Sequence, residues 1–473
     1  MSEPAPGRSD AGEPISPDDL VTASHKPPPS GRHPLDAMAR WTTHTVDAIA
    51  PWIDRLVGTG ARWSGLPSGR RVVVGWLITR ALMLVLLVWP ERTIVNDVHY
   101  YFERLATLGH GGAVTGVLGE YPLPVVGLVG IPWLLSFDDA TAYLFLFMAL
   151  MLAFDAWFCR MLYVRCGRRQ GAAVTLWLAA GPMMGPIMVT RFDIVPGILA
   201  GAAVLLLDRR PRLASALVTL GAAIKLWPVV LLPALAAPAR TRWRVIVAAL
   251  VTATLVVAAC LLVGGYDRLV SPLQWQSDRG LQIESLAALP LMIPWSVVHE
   301  PWVVDFSRFI TSEIHGPGDS VLITLASVAS VLAFVAMALL WFRAWRRRPD
   351  VDAEMVGWIM LTTTGLLIVT NKVFSPQYLL WLLPVVLAMV TVAPRGDTGV
   401  RRFAVLMLTV GLLTHVLYPN AYALIAGSSH FNWIGVLLLV ARDVFLVGFV
   451  VYAWRRAWRQ SEQPSASESA PAR

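Results

Sequence analysis

An acidic, aromatic segment stands where the first strongly apolar run of the chain ends. It opens with Asn96-Asp97-Val98-His99-Tyr100-Tyr101 and closes with Gly119-Glu120-Tyr121-Pro122. A carboxylate at the mouth of a membrane span can take a proton from a hydroxyl while the other reactant keeps its tail in lipid, which makes Asp97 a candidate general base. Asn and Asp also head helices everywhere, so a cap on a short interfacial helix is the competing reading of Asn96 or Asp97. His99, Tyr101, Glu120 and Tyr121 are candidate substrate contacts in the same loop.

Three further stretches carry polar residues that need a reason. Lys225 lies inside an apolar run, where a central Lys costs about 2.5–3.5 kcal/mol, so it must snorkel or meet a partner or a cavity. At the break of a helical hairpin its ammonium would hold a phosphate near the membrane surface. Gln276-Ser277-Asp278-Arg279-Gly280-Leu281-Gln282-Ile283-Glu284-Ser285 joins a guanidinium suited to phosphate with Gln282 and Glu284, which suit sugar hydroxyls, although a solvated loop has similar polarity. In Asn371-Lys372-Val373-Phe374-Ser375-Pro376-Gln377-Tyr378, Ser375 and Pro376 read as a helix start. That leaves Asn371, Gln377 and Tyr378 as substrate candidates and Lys372 as a third phosphate cation. Arg191 and Asp193 stand at another outer turn, where a plain salt bridge between them is one reading. His315, His415, His430 and the three cysteines lack metal-ligand spacing, so neither a metal nor a cofactor is expected.

The elements that position these residues must be membrane helices. With 56% hydrophobic and 15% charged residues over 473 positions, the chain exceeds the apolar share of soluble domains. Its recurrent apolar runs of about twenty residues match a hydrocarbon core of about 30 Å. The net charge of +8 comes from short basic clusters between those runs, as the positive-inside rule requires, rather than from a nucleic-acid surface. Residues 1–34 and 457–473 read as disordered cytosolic tails, and 35–70 as interfacial amphipathic helices. Residues 71–456 form the membrane domain, with a first loop at 91–122 and a long outer loop at 265–319.

Spans are expected at 72–90, 141–160, 171–189, 193–207, 245–264, 320–342, 355–370, 376–393, 403–419 and 434–454. Residues 123–136 are too short for a full crossing, and counting them as one would carry Arg160, Arg165, Arg168 and Arg169 to the wrong side. Residues 213–236 have basic segments at both ends, so they go up and return as two half-helices broken at Lys225-Leu226-Trp227-Pro228. The fold class is therefore all-α: ten crossings plus a re-entrant pair, twelve membrane helices in all, with short extracytoplasmic loop helices and both termini cytoplasmic. This topology brings Asp97, Lys225, Arg279 and Lys372 to one external face, where a carboxylate and cations suit group transfer from a lipid phosphate.

At these residues the chain resembles the polytopic glycosyltransferases of the GT-C type, and most closely glycosyltransferase family 87, which includes actinobacterial polyprenyl-phosphate-mannose-dependent α-mannosyltransferases. The matching pieces are Asp97 with Tyr100 or Tyr101, Gly109, Tyr121-Pro122, Ala222 to Pro228, Arg279 to Ser285, and Asn371 to Tyr378. The family commonly shows Tyr-Pro-Pro where this chain has Tyr121-Pro122-Leu123-Pro124. The resemblance implies an inverting transfer of a sugar, mannose first, from polyprenyl phosphate to a glycolipid or glycan hydroxyl, with Asp97 as the base. It implies a plasma-membrane enzyme of the cell envelope with an extracytoplasmic site and a lipid-linked donor. The competing class is a secondary transporter or flippase, which also breaks helices around buried charge but is built on internal repeats. The Lys225 hairpin and the Asn371 turn are not matching halves.

Overall fold

The computed structural model describes residues 68–89, 91–166, 171–277, 279–307, 309–346, 351–394 and 397–462. The expected N-terminal tail and nearly all of the amphipathic segment lie outside these residues.

In chain order the helices are α1 (Gly69–Val88), α2 (Asn96–Gly109), α3 (Pro124–Ser136), α4 (Ala140–Cys166), α5 (Ala172–Met184), α6 (Ile194–Leu206) and α7 (Pro211–Ile224). They continue as α8 (Arg242–Ser277), α9 (Asp319–Arg346), α10 (Ala353–Val369), α11 (Leu379–Val392), α12 (Thr398–His415) and α13 (Asn432–Glu462). Each apolar run found in the sequence folds as helix. Among the described residues, six of these helices (α1, α4, α8, α9, α12 and α13) are long and apolar enough to cross a membrane. Helices α3, α5, α6, α7, α10 and α11 are apolar but shorter.

The centre of the bundle is α6 against α11. Every residue of α6 from Ile194 to Leu205 is buried. Gly197 and Gly201 let the two backbones meet: a Cβ at Gly197 would strike the Leu380 carbonyl, and one at Gly201 the Pro384 carbonyl. Small residues four apart are the usual means of close helix contact in lipid. At the periphery only 11% of the apolar window of α8 and 17% of that of α9 is buried, against 67% in α12. Helices α8 and α9 therefore turn most of their side chains to lipid.

A buried ion pair ties the first two long helices. Arg80 of α1 bonds Asp155 of α4 at 2.6 Å, and Trp76 Nε1 donates to the same carboxylate at 2.5 Å. Arg80 also donates to the carbonyls of Trp177 and Leu178, so its charge is compensated on every side, as an intramembrane charge must be.

Three local features differ from expectation. The outer segment is not wholly helical: β1 (Val303–Phe306) and β2 (Ser312–His315) pair antiparallel, with Val303 opposite His315 and Phe306 opposite Ser312. The β-branched Val303, Val304 and Ile314 favour a pleated, half-buried surface, which corrects the all-α reading in this one hairpin. Helix α8 continues past residue 264 to Ser277, kinked at Gly265 (φ +70°), a conformation glycine adopts without a Cβ penalty. Helix α13 runs on to Glu462, so the stretch after 456 begins as helix.

Candidate functional site

One wall of the site is a face of α2. Asp97 stands in its first turn, where the helix N-terminus favours a carboxylate. Asp97, Tyr100 and Arg104 line a cavity of about 500 Å³, at the spacing that stacks side chains on one helix face. Val98, Tyr101 and Leu105 are buried on the other. Glu120 and Tyr121, which follow α2, complete this wall. The Tyr100 hydroxyl donates to Glu120 Oε1 at 2.8 Å. Burial and the adjacent Glu120 carboxylate push the Tyr100 phenol up to about 12, so it remains a donor at neutral pH.

The turn before α6 holds both charged halves of the site. Arg191, buried, places Nε 2.8 Å from Asp97 Oδ2 without the alignment of a hydrogen bond, so the contact is an ion pair. Its other nitrogens donate to the Ile94 and Thr190 carbonyls and to the Tyr418 hydroxyl. Two residues on, Asp193 Oδ1 accepts from Lys225 Nζ at 2.5 Å and from Trp381 Nε1 at 2.8 Å. Arg191 and Asp193 thus do not pair with each other; they serve Asp97 and Lys225 separately. Phe192 between them packs on Tyr101 and Tyr121, at 5.4 and 5.0 Å between ring centres.

Lys225 sits where α7 stops. Its backbone is extended, and a 3₁₀ turn over Trp227–Leu231 follows, so the expected break falls at Lys225-Leu226. The second piece is shorter and less regular than a half-helix. The ammonium is surrounded by Tyr121, Phe192, Tyr378 and Trp381, 5.2 to 5.8 Å from their ring centres. Such faces stabilise a cation that has left bulk water. The cavity that reaches Lys225 also meets Arg279, Asn371, Ser375, Gln377 and Tyr378. Its apolar part is lined by Val229 and Val230, by Phe334 of α9 and by Leu367 of α10.

One cavity thus joins Asp97, Glu120, Tyr121, Lys225, Arg279, Asn371, Gln377 and Tyr378. The remaining expected contacts lie elsewhere. His99 is exposed on α2 away from the cavity lining. Tyr101 is buried among aromatic rings. Gln282 is buried and its backbone pairs with Glu313, and its backbone N–H donates to the Lys372 carbonyl at 3.1 Å. Lys372 is not among the lining residues. Glu284 is buried against Arg442 at 2.8 Å, its acceptor capacity turned to a guanidinium rather than to the cavity. Sequence reasoning missed Arg104 at the cavity and the separate partners of Arg191 and Asp193. The available signal was the cost of burying each charge, which demands a partner for each but does not say which. Among the described residues no group of three His, Cys, Asp or Glu side chains is arranged to hold a metal ion.

Apolar helices of membrane-spanning length around a cavity lined by a carboxylate, cations and apolar side chains define a membrane protein with a part-polar, part-apolar cavity. The model of glycosyltransferase family 87 matches residues 121–376, more than half of the chain. The protein belongs to that family and is a glycosyltransferase, which uses a sugar donor and an acceptor. Lys225, Arg279 and Asn371 lie within the matched stretch, while Asp97 precedes it and α13 follows it. No curated protein and no solved structure matches the chain.

Proposed function

We propose that the protein transfers a sugar, mannose in the first instance, from a polyprenyl phosphate to a hydroxyl of an envelope glycolipid or glycan, on the extracytoplasmic face of an actinobacterial plasma membrane. The observation that carries this reading is the single cavity shared by Asp97, Lys225 and Arg279, continuous with the apolar wall of Val229, Val230, Phe334 and Leu367. A donor whose phosphate meets the cations and whose tail lies along the apolar wall fits that division. A nucleotide sugar, wholly polar, leaves the apolar wall unused.

In the proposed reaction Asp97 takes the proton of the acceptor hydroxyl. The freed oxygen attacks the anomeric carbon from the side away from the phosphate, and the carbon–oxygen bond to the phosphate breaks with its electron pair. The anomeric configuration inverts, and polyprenyl phosphate departs. Lys225 and Arg279 stabilise the charge that develops on the departing phosphate, an effect that grows in a water-poor cavity. Arg191 holds the Asp97 carboxylate in place, and Glu120, Tyr121, Asn371, Gln377 and Tyr378 supply hydrogen bonds for sugar hydroxyls. Lys372, expected in the sequence as a third phosphate cation, has no part in this arrangement.

The test uses the full chain in proteoliposomes with synthetic polyprenyl phosphate mannose, GDP-mannose in a parallel reaction, and a mixture of envelope glycolipids. Sugar transfer from the lipid-linked donor alone, giving product of inverted configuration, is the expected result. Transfer from the nucleotide sugar, or retention of configuration, contradicts the proposal. Movement of intact donor across the bilayer without transfer would favour a flippase instead.

A further inference from the structure

Arg442 lies within α13, fully buried and away from the cavity lining. Its Nη1 donates to Glu284 Oε2 at 2.8 Å, its Nη2 to the Glu284 carbonyl at 2.6 Å, and its Nε to Asp443 Oδ1 at 2.9 Å. The guanidinium carbon stands 4.2 Å from the centre of the Phe374 ring. One side chain therefore grips two loops. Glu284 closes the stretch that begins at Arg279, and Phe374 stands between Asn371 and Gln377.

The two loops also touch directly where Gln282 N donates to the Lys372 carbonyl. On its other side the first loop is held by the hairpin: Ile283 N donates to the Ser312 carbonyl at 3.2 Å, and Gly280 N to Glu313 Oε1 at 3.2 Å. The Arg279 guanidinium lies over the Phe309 ring, 5.9 Å from its centre, and its buried Nε has no hydrogen-bond partner among the described residues. The backbone that follows Arg279 is held at Gly280, Gln282 and Ile283.

We infer that Arg442 is a positioning residue: by clamping Glu284 and stacking on Phe374 it fixes Arg279 relative to Asn371 and Gln377, and so builds the phosphate-binding wall of the cavity from a helix that does not touch it. The inference rests on the proposed role of Arg279 toward the donor phosphate. A lysine cannot replace the clamp, because a single ammonium lacks both the fork that takes a carboxylate and a carbonyl together and the flat face that stacks on a ring. The guanidinium also faces two carboxylates, Glu284 and Asp443. Burial pushes the Glu284 carboxyl up to about 7 while Arg442 pulls it down.

The test is a double-variant cycle on the reconstituted full chain with synthetic polyprenyl phosphate mannose. Arg442→Lys is expected to raise the donor KM about tenfold in the parent, and less than about twofold where Arg279 is already alanine. An unchanged donor KM, or the same factor in both backgrounds, overturns the inference. Amide exchange over residues 280–285 gives a readout independent of any reaction: Arg442→Lys should speed exchange at Gln282 and Ile283, and unaltered exchange there overturns the clamp. If Arg279→Ala leaves the donor KM unchanged, the donor role of Arg279 fails, and the exchange measurement alone decides whether Arg442 holds the loop. Should Arg442→Lys not fold, Phe374→Leu removes only the stacked face and is carried through the same measurements with the same two outcomes.

Discussion

Asp97 and Lys225 are each held by a buried residue of opposite charge, Arg191 and Asp193, that belong to one short turn. The alternation of charge explains how a carboxylate and an ammonium can share one cavity: each is compensated locally. It also sets what substitution should do. Lys225→Gln keeps a hydrogen-bond donor but removes the charge offered to a phosphate and leaves Asp193 without its ion pair. Initial rates against the lipid-linked donor should show its KM raised about tenfold or more, with a smaller change in kcat. A KM equal to that of the parent would remove Lys225 from donor binding. At this scale the sequence was legible in part. Lys225 was conspicuous because a charge within an apolar run is expensive, and Asp97 because it ends such a run. Arg191 and Asp193 were visible but their partners were not, since those partners come from other helices and only the folded chain brings them near.

The elements were more legible than the contacts between them, because an apolar run of membrane length leaves few alternatives to helix. Even the break at Lys225-Leu226-Trp227-Pro228 could be read, from a proline and from basic residues at both ends of one run. The hairpin of β1 and β2 escaped notice, as its strands are short and lie in a polar loop where alternation is a weak signal. Packing of α6 against α11 was equally hidden: Gly197 and Gly201 are ordinary residues until the Leu380 and Pro384 carbonyls are seen beside them. Gly197→Val should force the two helices apart and carry away the turn that holds Asp193 and the start of α11 that holds Trp381. A loss of about 3 kcal/mol or outright failure to fold is expected, in the range of severe overpacking. Thermal unfolding followed by size-exclusion chromatography in detergent measures it, and an unchanged midpoint would show that the contact is looser than described.

Over the whole molecule, α8 and α9 are the most exposed of the long apolar helices, and α12 is the most buried. The cavity takes residues from both peripheral helices, Trp275 of α8 and Phe334 of α9, and from the central α11. It thus runs from the exposed helices to the buried core. The proposed orientation places this cavity on the extracytoplasmic side, and His99, exposed on α2, reports on it. His99→Cys should react with a membrane-impermeant maleimide added to intact cells, while the buried Cys159, Cys166 and Cys260 remain unreactive. Labelling of that cysteine only after the cells are opened would invert the topology. The proposed chemistry depends most directly on Asp97. Asp97→Asn preserves the size of the side chain in the first turn of α2 but removes the base. The decisive measurement is sugar transfer from polyprenyl phosphate mannose by the parent and by Asp97→Asn in the same proteoliposomes, with donor binding followed alongside. Transfer reduced by about 10²-fold or more with donor binding intact is the predicted result; equal turnover by the two proteins would contradict the assignment of Asp97 as the base.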